Sequence, residues 1–415
     1  MSMSTDRFNL YLHSDSEHVN ETIKSLSKEL SLANDKQVKA LKLILLNLFL
    51  YRDNRVVVSR EKKSLGAARY NPYSLGYRPF LSVLDRLDKY GLVFQEKGHK
   101  DLATGEGKQT LIQMTDELRT RLYLAEWTTA DIKQLNPELI RLKTYSKDNK
   151  SKGLVDYQDT ELSFKLRAEV EAYYQLLCET DICLNINARG EGWEYEGQPI
   201  YRSFIKMGTE SCFEYGGRLY GPWASMSKAQ RKSLCIGGDK TVEHDFSASH
   251  VNTMYLMVTG STYPYEDDPY SLYFGHREIP RHVVKKLSSI LINVKTYHQA
   301  IEALTNEYKK YKSDSSKYKD FADFELISDG LNWTDIINAY LSKHKVISTL
   351  FLKGKQTGNN IQFIESQRVM NIINYLVSEG IPVLTVYDSF IVAEKHESLL
   401  LKLMSNDISE LRLAA

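Results

Sequence analysis

Apolar positions along this chain follow two periods, one helical and one alternating. Residues 36–52 form a nearly continuous apolar run of helical length. Phe80, Leu81, Leu84 and Leu87 make a helical stripe within a second helix expected over residues 73–90, opened by Asn71-Pro72 and closed by Gly91. Two short strands follow, Leu92-Val93-Phe94-Gln95 and Thr110-Leu111-Ile112-Gln113-Met114, split by the Gly- and charge-rich residues 97–108. Residues 145–153 are polar and aperiodic, which marks a linker. An amphipathic helix is expected over residues 162–178. Residues 190–240 are rich in Gly and aromatics, 267–303 read as mostly helical, and 365–379 as a helix. That last helix leads into Ile381-Pro382-Val383-Leu384-Thr385-Val386-Tyr387-Asp388-Ser389-Phe390-Ile391-Val392, a β-hairpin with Asp388 at its tip.

The order helix, helix, two-stranded wing resembles a winged helix-turn-helix. Between Tyr51 and Phe80 stand seven Lys or Arg against two acids, a local excess suited to phosphate contacts. A solvated basic surface on a protein-interaction module is the competing reading. The whole chain has 415 residues and a formal charge of +1, so no global field draws it to nucleic acid. The four cysteines, Cys178, Cys183, Cys212 and Cys235, form no CxxC pair, and buried thiols in a reducing compartment are expected. The longest apolar run is too short to span a bilayer, and the polar N-terminus lacks a signal-peptide core, so a cytoplasmic protein without membrane partners is expected.

The chemistry concentrates on two acidic strand ends. Asp388 is one; the other is Asp245, in Thr241-Val242-Glu243-His244-Asp245-Phe246-Ser247-Ala248-Ser249. Two carboxylates on two strand ends suit two divalent cations, Mg²⁺ or Mn²⁺, which clamp the attacking and leaving oxygens of a phosphoryl transfer. Between them, Arg281, Lys285, Ser289 and Asn293 recur at four-residue spacing and share one helical face, which suits a nucleoside triphosphate. Each piece has a plainer reading. Asp388 alone would be a turn former, the Arg281/Lys285 face a solvated surface, and Glu365 an acid at a helix N-terminus. The Tyr- and Lys-rich residues 308–319 read as a charged surface. His250 and His298 lack the spacing of a zinc site.

In order, Asp245-Phe246-Ser247-Ala248-Ser249, Arg281 with Lys285, and Tyr387-Asp388-Ser389-Phe390 resemble motifs A, B and C of family A DNA polymerases and of single-subunit phage and mitochondrial RNA polymerases. Gly216-Gly217-Arg218-Leu219-Tyr220-Gly221 is similar to the Gly-Arg-Val-Tyr segment of the RNA polymerases. The resemblance covers roughly residues 200–400 and extends to small proteins of phages and mobile elements. It implies an α+β fold: a right-hand polymerase palm with helical fingers and a thumb-like region, preceded by the winged helix. The implied segments are an extension over 1–34, the winged-helix domain over 35–144, a linker and thumb-like region over 145–240, and the palm over 241–415 with a fingers insertion at about 265–350. It implies metal binding by Asp245 and Asp388, nucleotide binding by Arg281, Lys285, Ser289, Asn293 and His250, and nucleic-acid contacts by Arg218, Arg231, Gln367 and Tyr387. The expected activity is template-directed nucleotidyl transfer, in a primer-making or replication setting. The chain departs from the pattern in carrying Asn293-Val294 for Tyr-Gly, and His250 for the Glu that excludes a 2′-hydroxyl in the DNA polymerases. The latter leans toward acceptance of ribonucleotides. The rival functions are a DNA-binding replication initiator or regulator with an inactive palm, and a metal-dependent nuclease on the same Asp pair.

Overall fold

The computed structural model describes residues 5–61, 65–100, 107–145, 152–184, 192–208, 212–315, 321, 324 and 332–410. Helices and strands are mixed, and the chain divides into two units. One comprises Met1–Glu138 with Ser146–Gln158, the other Leu139–Tyr145 with Asp159–Ala415.

In the first unit the apolar run becomes helix Asp35–Leu50, with ten buried residues and Asn34 as its N-cap, accepting from the Gln37 amide. Residues 5–34 are not a separate extension: Leu12, Val19, Ile23, Leu26 and Leu30 share the core of that helix. The second expected helix starts later than the pattern suggested, at Tyr77 rather than Tyr73. The Asn71 side chain bonds both the amide and the carbonyl of Leu75, offering residues 71–75 a local alternative to helix. Phe80, Val83, Leu84 and Leu87 are buried on helix Tyr77–Lys89 as its stripe requires. Strands Val93–Glu96 and Thr110–Met114 pair antiparallel. Arg55–Val58 adds to the far side of the latter, and Thr5–Arg7 pairs parallel with it.

Three of the basic residues of 51–80 are paired with acids inside this unit. Arg55 pairs with Glu96, Arg60 grips Asp85 through both terminal nitrogens, and Arg69 lies between Glu138 and Asp156. Arg52 donates to the Phe49 carbonyl. Lys62 and Lys63 lie outside the described residues.

In the second unit six strands form one sheet, in the order Trp193–Glu194, Ile182–Leu184, Leu234–Ile236, Asp239–Asp245, Ser389–Ala393, Val383–Val386. Val383–Val386 is an edge strand, and its outward carbonyls are covered. The Tyr173 hydroxyl, on helix Glu161–Cys178, donates to Val383 at 2.6 Å, and the Trp223 indole donates to Thr385 at 2.9 Å. A second group of strands pairs Ile140–Tyr145 in parallel with Tyr201–Lys206, and that strand antiparallel with Gly216–Tyr220. The described residues within 251–361 build a largely helical core of their own around Tyr255, Leu287, Trp333 and Tyr340. Residues 267–303 are less helical than expected: a hairpin of Leu272–Phe274 and Arg277–Ile279 precedes helices Arg281–Leu291 and Tyr297–Ser313. Tyr308 is not a surface residue but packs among Phe321, Phe324 and Trp333, while residues 316–319 of that basic stretch lie outside the described residues.

The cysteines are also less buried than expected. Cys235 is buried, Cys183 faces it across the strand pair half-buried, Cys212 is half-buried and Cys178 is exposed.

Candidate active site

Asp245 and Asp388 meet at one end of the sheet. Strands Asp239–Asp245 and Ser389–Ala393 are antiparallel neighbours, with Asp245 opposite Ser389. The ladder closes with the Phe246 amide donating to the Asp388 carbonyl at 3.4 Å. Left-handed backbone adjoins Asp388 and recurs at Ala248, shortly after Asp245. Tyr387 has φ +61° in the hairpin turn and Ala248 has φ +46° at the start of helix Ser249–Thr259. Left-handed backbone at residues with a side chain costs about 1–3 kcal/mol and persists where the surroundings enforce it, commonly at functional sites.

Beside Asp388 lies a buried polar hub that the sequence reading did not foresee. Glu365 is 4 % exposed and sits in the middle of helix Lys355–Ser378, not at an N-terminus. Its carboxylate accepts from the Ser249 hydroxyl, from Arg218 at 3.3 Å, and lies 3.4 Å from the His250 imidazole. Burial pushes Glu365 up, but the bond and charge of His250, with Arg218 and Ser249, outweigh it and hold the carboxyl below its ordinary value. Burial pulls His250 down, and the bond to Glu365 and its charge more than reverse this, so the imidazole is raised. Asp388 is raised, first by burial and then by the Glu365 charge. A cation bound beside Asp388 would oppose that rise.

Helix Lys355–Ser378 packs closely on strand Gly216–Tyr220, and glycine makes this possible. A Cβ on Gly217 would come within 2.5 Å of the Ser366 hydroxyl, and its φ of +81° disfavours any side chain. The same helix carries Arg368, buried, with its guanidinium 4.2 Å over the Phe246 ring next to Asp245. The signal for both residues was in the sequence: Glu365 and Arg368 are charges at i, i+3 on a helix otherwise apolar at Ile361, Val369 and Ile372.

Helix Arg281–Leu291 exposes Arg281, Lys285 and Ser289 on one side and buries Val283, Val284, Leu287 and Leu291 on the other. Arg281 pairs with Asp268 at 2.7 Å and lies 5.2 Å over the ring of Tyr270. Burial pushes Tyr270 up to about 12. Lys285 has no ion-pair partner among the described residues. Asn293 does not continue the helical face, because the helix ends at Leu291. Its amide instead folds back to the Ser289 carbonyl at 2.8 Å, and a Cβ on Gly358 would approach it within 2.5 Å.

The remaining expected contacts are spread around these elements. Arg231 is held by Glu243 at 2.8 Å and by the Met226 carbonyl, so it is committed within the fold. Gln367 is half-buried on helix Lys355–Ser378, and Tyr387 is 43 % exposed with the Arg218 guanidinium 5.1 Å over its ring. Among the described residues, no group of three or more His, Cys, Asp or Glu is placed to hold a metal ion, and no helix is long and apolar enough to cross a membrane. A pair of carboxylates still fits Mg²⁺, which commonly takes one or two carboxylates and completes its shell with water and substrate phosphates.

Comparison of the chain with models of protein families, with curated proteins and with solved structures found no match.

Proposed function

We propose that this protein is a palm-type nucleic-acid polymerase, transferring nucleotides from nucleoside triphosphates to a growing strand. The observation that carries the reading is the meeting of Asp245 and Asp388 at the end of two adjacent antiparallel strands. Bound there, two Mg²⁺ or Mn²⁺ ions would polarise the attacked phosphate and stabilise the leaving oxygen. The chain's own residues supply the rest. Arg281 and Lys285, in the first half of an exposed helical face, neutralise the triphosphate, and the positive end of the helix adds to them. The Arg281–Asp268 pair is exposed on both sides, so exchanging Asp268 for a phosphate costs little. Arg218 and His250 are held by the buried Glu365 at the edge of the acidic site, which fixes their geometry before substrate arrives.

In this reading the first unit, with helices Asp35–Leu50 and Tyr77–Lys89 followed by the strand pair Val93–Glu96 and Thr110–Met114, serves as an accessory nucleic-acid-binding module of winged-helix type. Its internal ion pairs leave it fewer cations for phosphate than its composition suggests. His250 at the sugar-reading position, with the small Asn293 in place of Tyr, leaves discrimination between NTPs and dNTPs weak. A primer-making or replicative role in a mobile element accords with such tolerance. Lys285→Ala tests the nucleotide site: the apparent nucleotide KM should rise about tenfold with template affinity nearly unchanged. A change confined to template affinity would refute the assignment.

A further inference from the structure

A row of aromatic side chains flanked by cations runs across the second unit to the hairpin that carries Asp388. On strand Ile140–Tyr145, Ile140 and Leu142 are buried while Arg141 and Lys143 turn to the other face. The Arg141 guanidinium lies 3.5 Å over the ring of Tyr201 on the next strand. Tyr201 stacks on Tyr220 of the strand beyond, with ring centroids 5.3 Å apart and planes 16° from parallel. The Lys143 ammonium lies 5.7 Å from the Tyr220 ring, and Tyr220 meets Tyr387 edge-on at 6.1 Å. Tyr387 is the covalent neighbour of Asp388. The row therefore ends at the acidic site.

We infer that this row is the track along which a single-stranded nucleic acid reaches Asp245 and Asp388. The inference rests on the polymerase reading for what happens at the end of the track, but the binding it describes needs no chemistry. Aromatic faces interleaved with cations match a strand that carries a charge and a π-face in every residue. Arg141, Ser203 and Arg218 sit opposite one another across three strands, and Tyr201 opposite Tyr220, so cations and rings form adjacent rows on one face. A duplex hides its base faces and would gain only the phosphate contacts. The occupant is thus a strand with unpaired bases.

The test uses the full chain, a fluorescent oligothymidylate and the matching duplex, titrated over a range of salt without nucleotide or divalent cation. Tyr220→Leu should weaken single-strand binding about tenfold, while Tyr220→Phe, which keeps the ring, should bind nearly as the parent. Lys143→Gln should lower the slope of log affinity against log salt by about 0.7, and neither Tyr220 variant should alter duplex binding much. A slope change is a readout that simple damage to packing does not produce, and thermal melting checks that each variant is folded. Unchanged single-strand affinity in folded Tyr220→Leu together with an unchanged slope in Lys143→Gln would overturn the inference. So would a parent protein that does not bind the oligonucleotide at low salt. Nucleotide incorporation is measured in parallel. Track-dependent binding without any incorporation removes the polymerase reading and leaves the track; incorporation unaffected by the track variants does the reverse.

Discussion

Among single residues, Glu365 ties the site together. It is buried, charged and shared by Arg218, His250 and Ser249. Removing one partner of a buried ion pair costs about 3–5 kcal/mol, so Glu365→Ala should destabilise strongly. Its pH dependence has a definite sign. Glu365 is held below its ordinary 4.5, so its contribution is full above that value and fades as pH falls through the lowered one. His250 is raised above its ordinary 6.5, so its contribution is full below that value and is lost as pH rises through the raised one. The pair is therefore strongest between these two ordinary values. Urea unfolding of the parent and of His250→Gln across pH should show the largest difference there, narrowing on the alkaline side; a pH-independent difference would mean that the imidazole is uncharged in the fold. Sequence could place Asp245, Asp388 and the Arg281/Lys285 face because strand ends and helical spacing are local patterns. It could mark Glu365 as a charge on a helix face, but nothing local says that this glutamate meets an arginine 147 residues earlier.

At the scale of elements, the fit of helix Lys355–Ser378 against strand Gly216–Tyr220 decides whether Arg218 reaches Glu365. Gly217→Ala adds a Cβ 2.5 Å from the Ser366 hydroxyl and 3.0 Å from the Phe204 ring, at a φ that favours glycine. Strain and overpacking together should lower stability by about 2 kcal/mol or more, measured by chemical denaturation. A neutral result would show that the helix has room to move. Paired glycines are visible in sequence, but their meaning here depends on the helix that crosses them. Boundaries were the least legible feature at this scale. The helix over residues 365–379 starts ten residues earlier, at Lys355, because its first turns are polar and carry no stripe. The helix expected from Tyr73 starts at Tyr77, because Asn71 captures the Leu75 backbone first.

At the scale of the molecule, the polar residues 145–153 invite a cut between two parts, yet the first unit takes back Ser146–Gln158. Arg69 bonds Asp156 and the Tyr157 carbonyl, and the Tyr70 hydroxyl donates to the Val155 carbonyl. A fragment ending at residue 158 should thus melt cooperatively and at a higher temperature than one ending at 144, by roughly 2–4 °C for each kcal/mol these contacts supply. Equal melting of the two would show that the returning segment adds nothing. A polar stretch was a sound guide to a crossing point between cores and a poor guide to where one core stops, because the contacts that hold it are long-range.

Whether Asp245 and Asp388 together support nucleotide transfer is decided by one assay. Purified protein is incubated with labelled NTPs or dNTPs, Mg²⁺ or Mn²⁺ and primed or unprimed templates, beside Asp245→Asn and Asp388→Asn variants shown to be folded. The parent should incorporate nucleotides, accept ribonucleotides and lose activity on chelation of the metal, and each variant should fall by orders of magnitude. Incorporation by either variant at close to the parental rate, or none by the folded parent under any of these conditions, would contradict the polymerase reading.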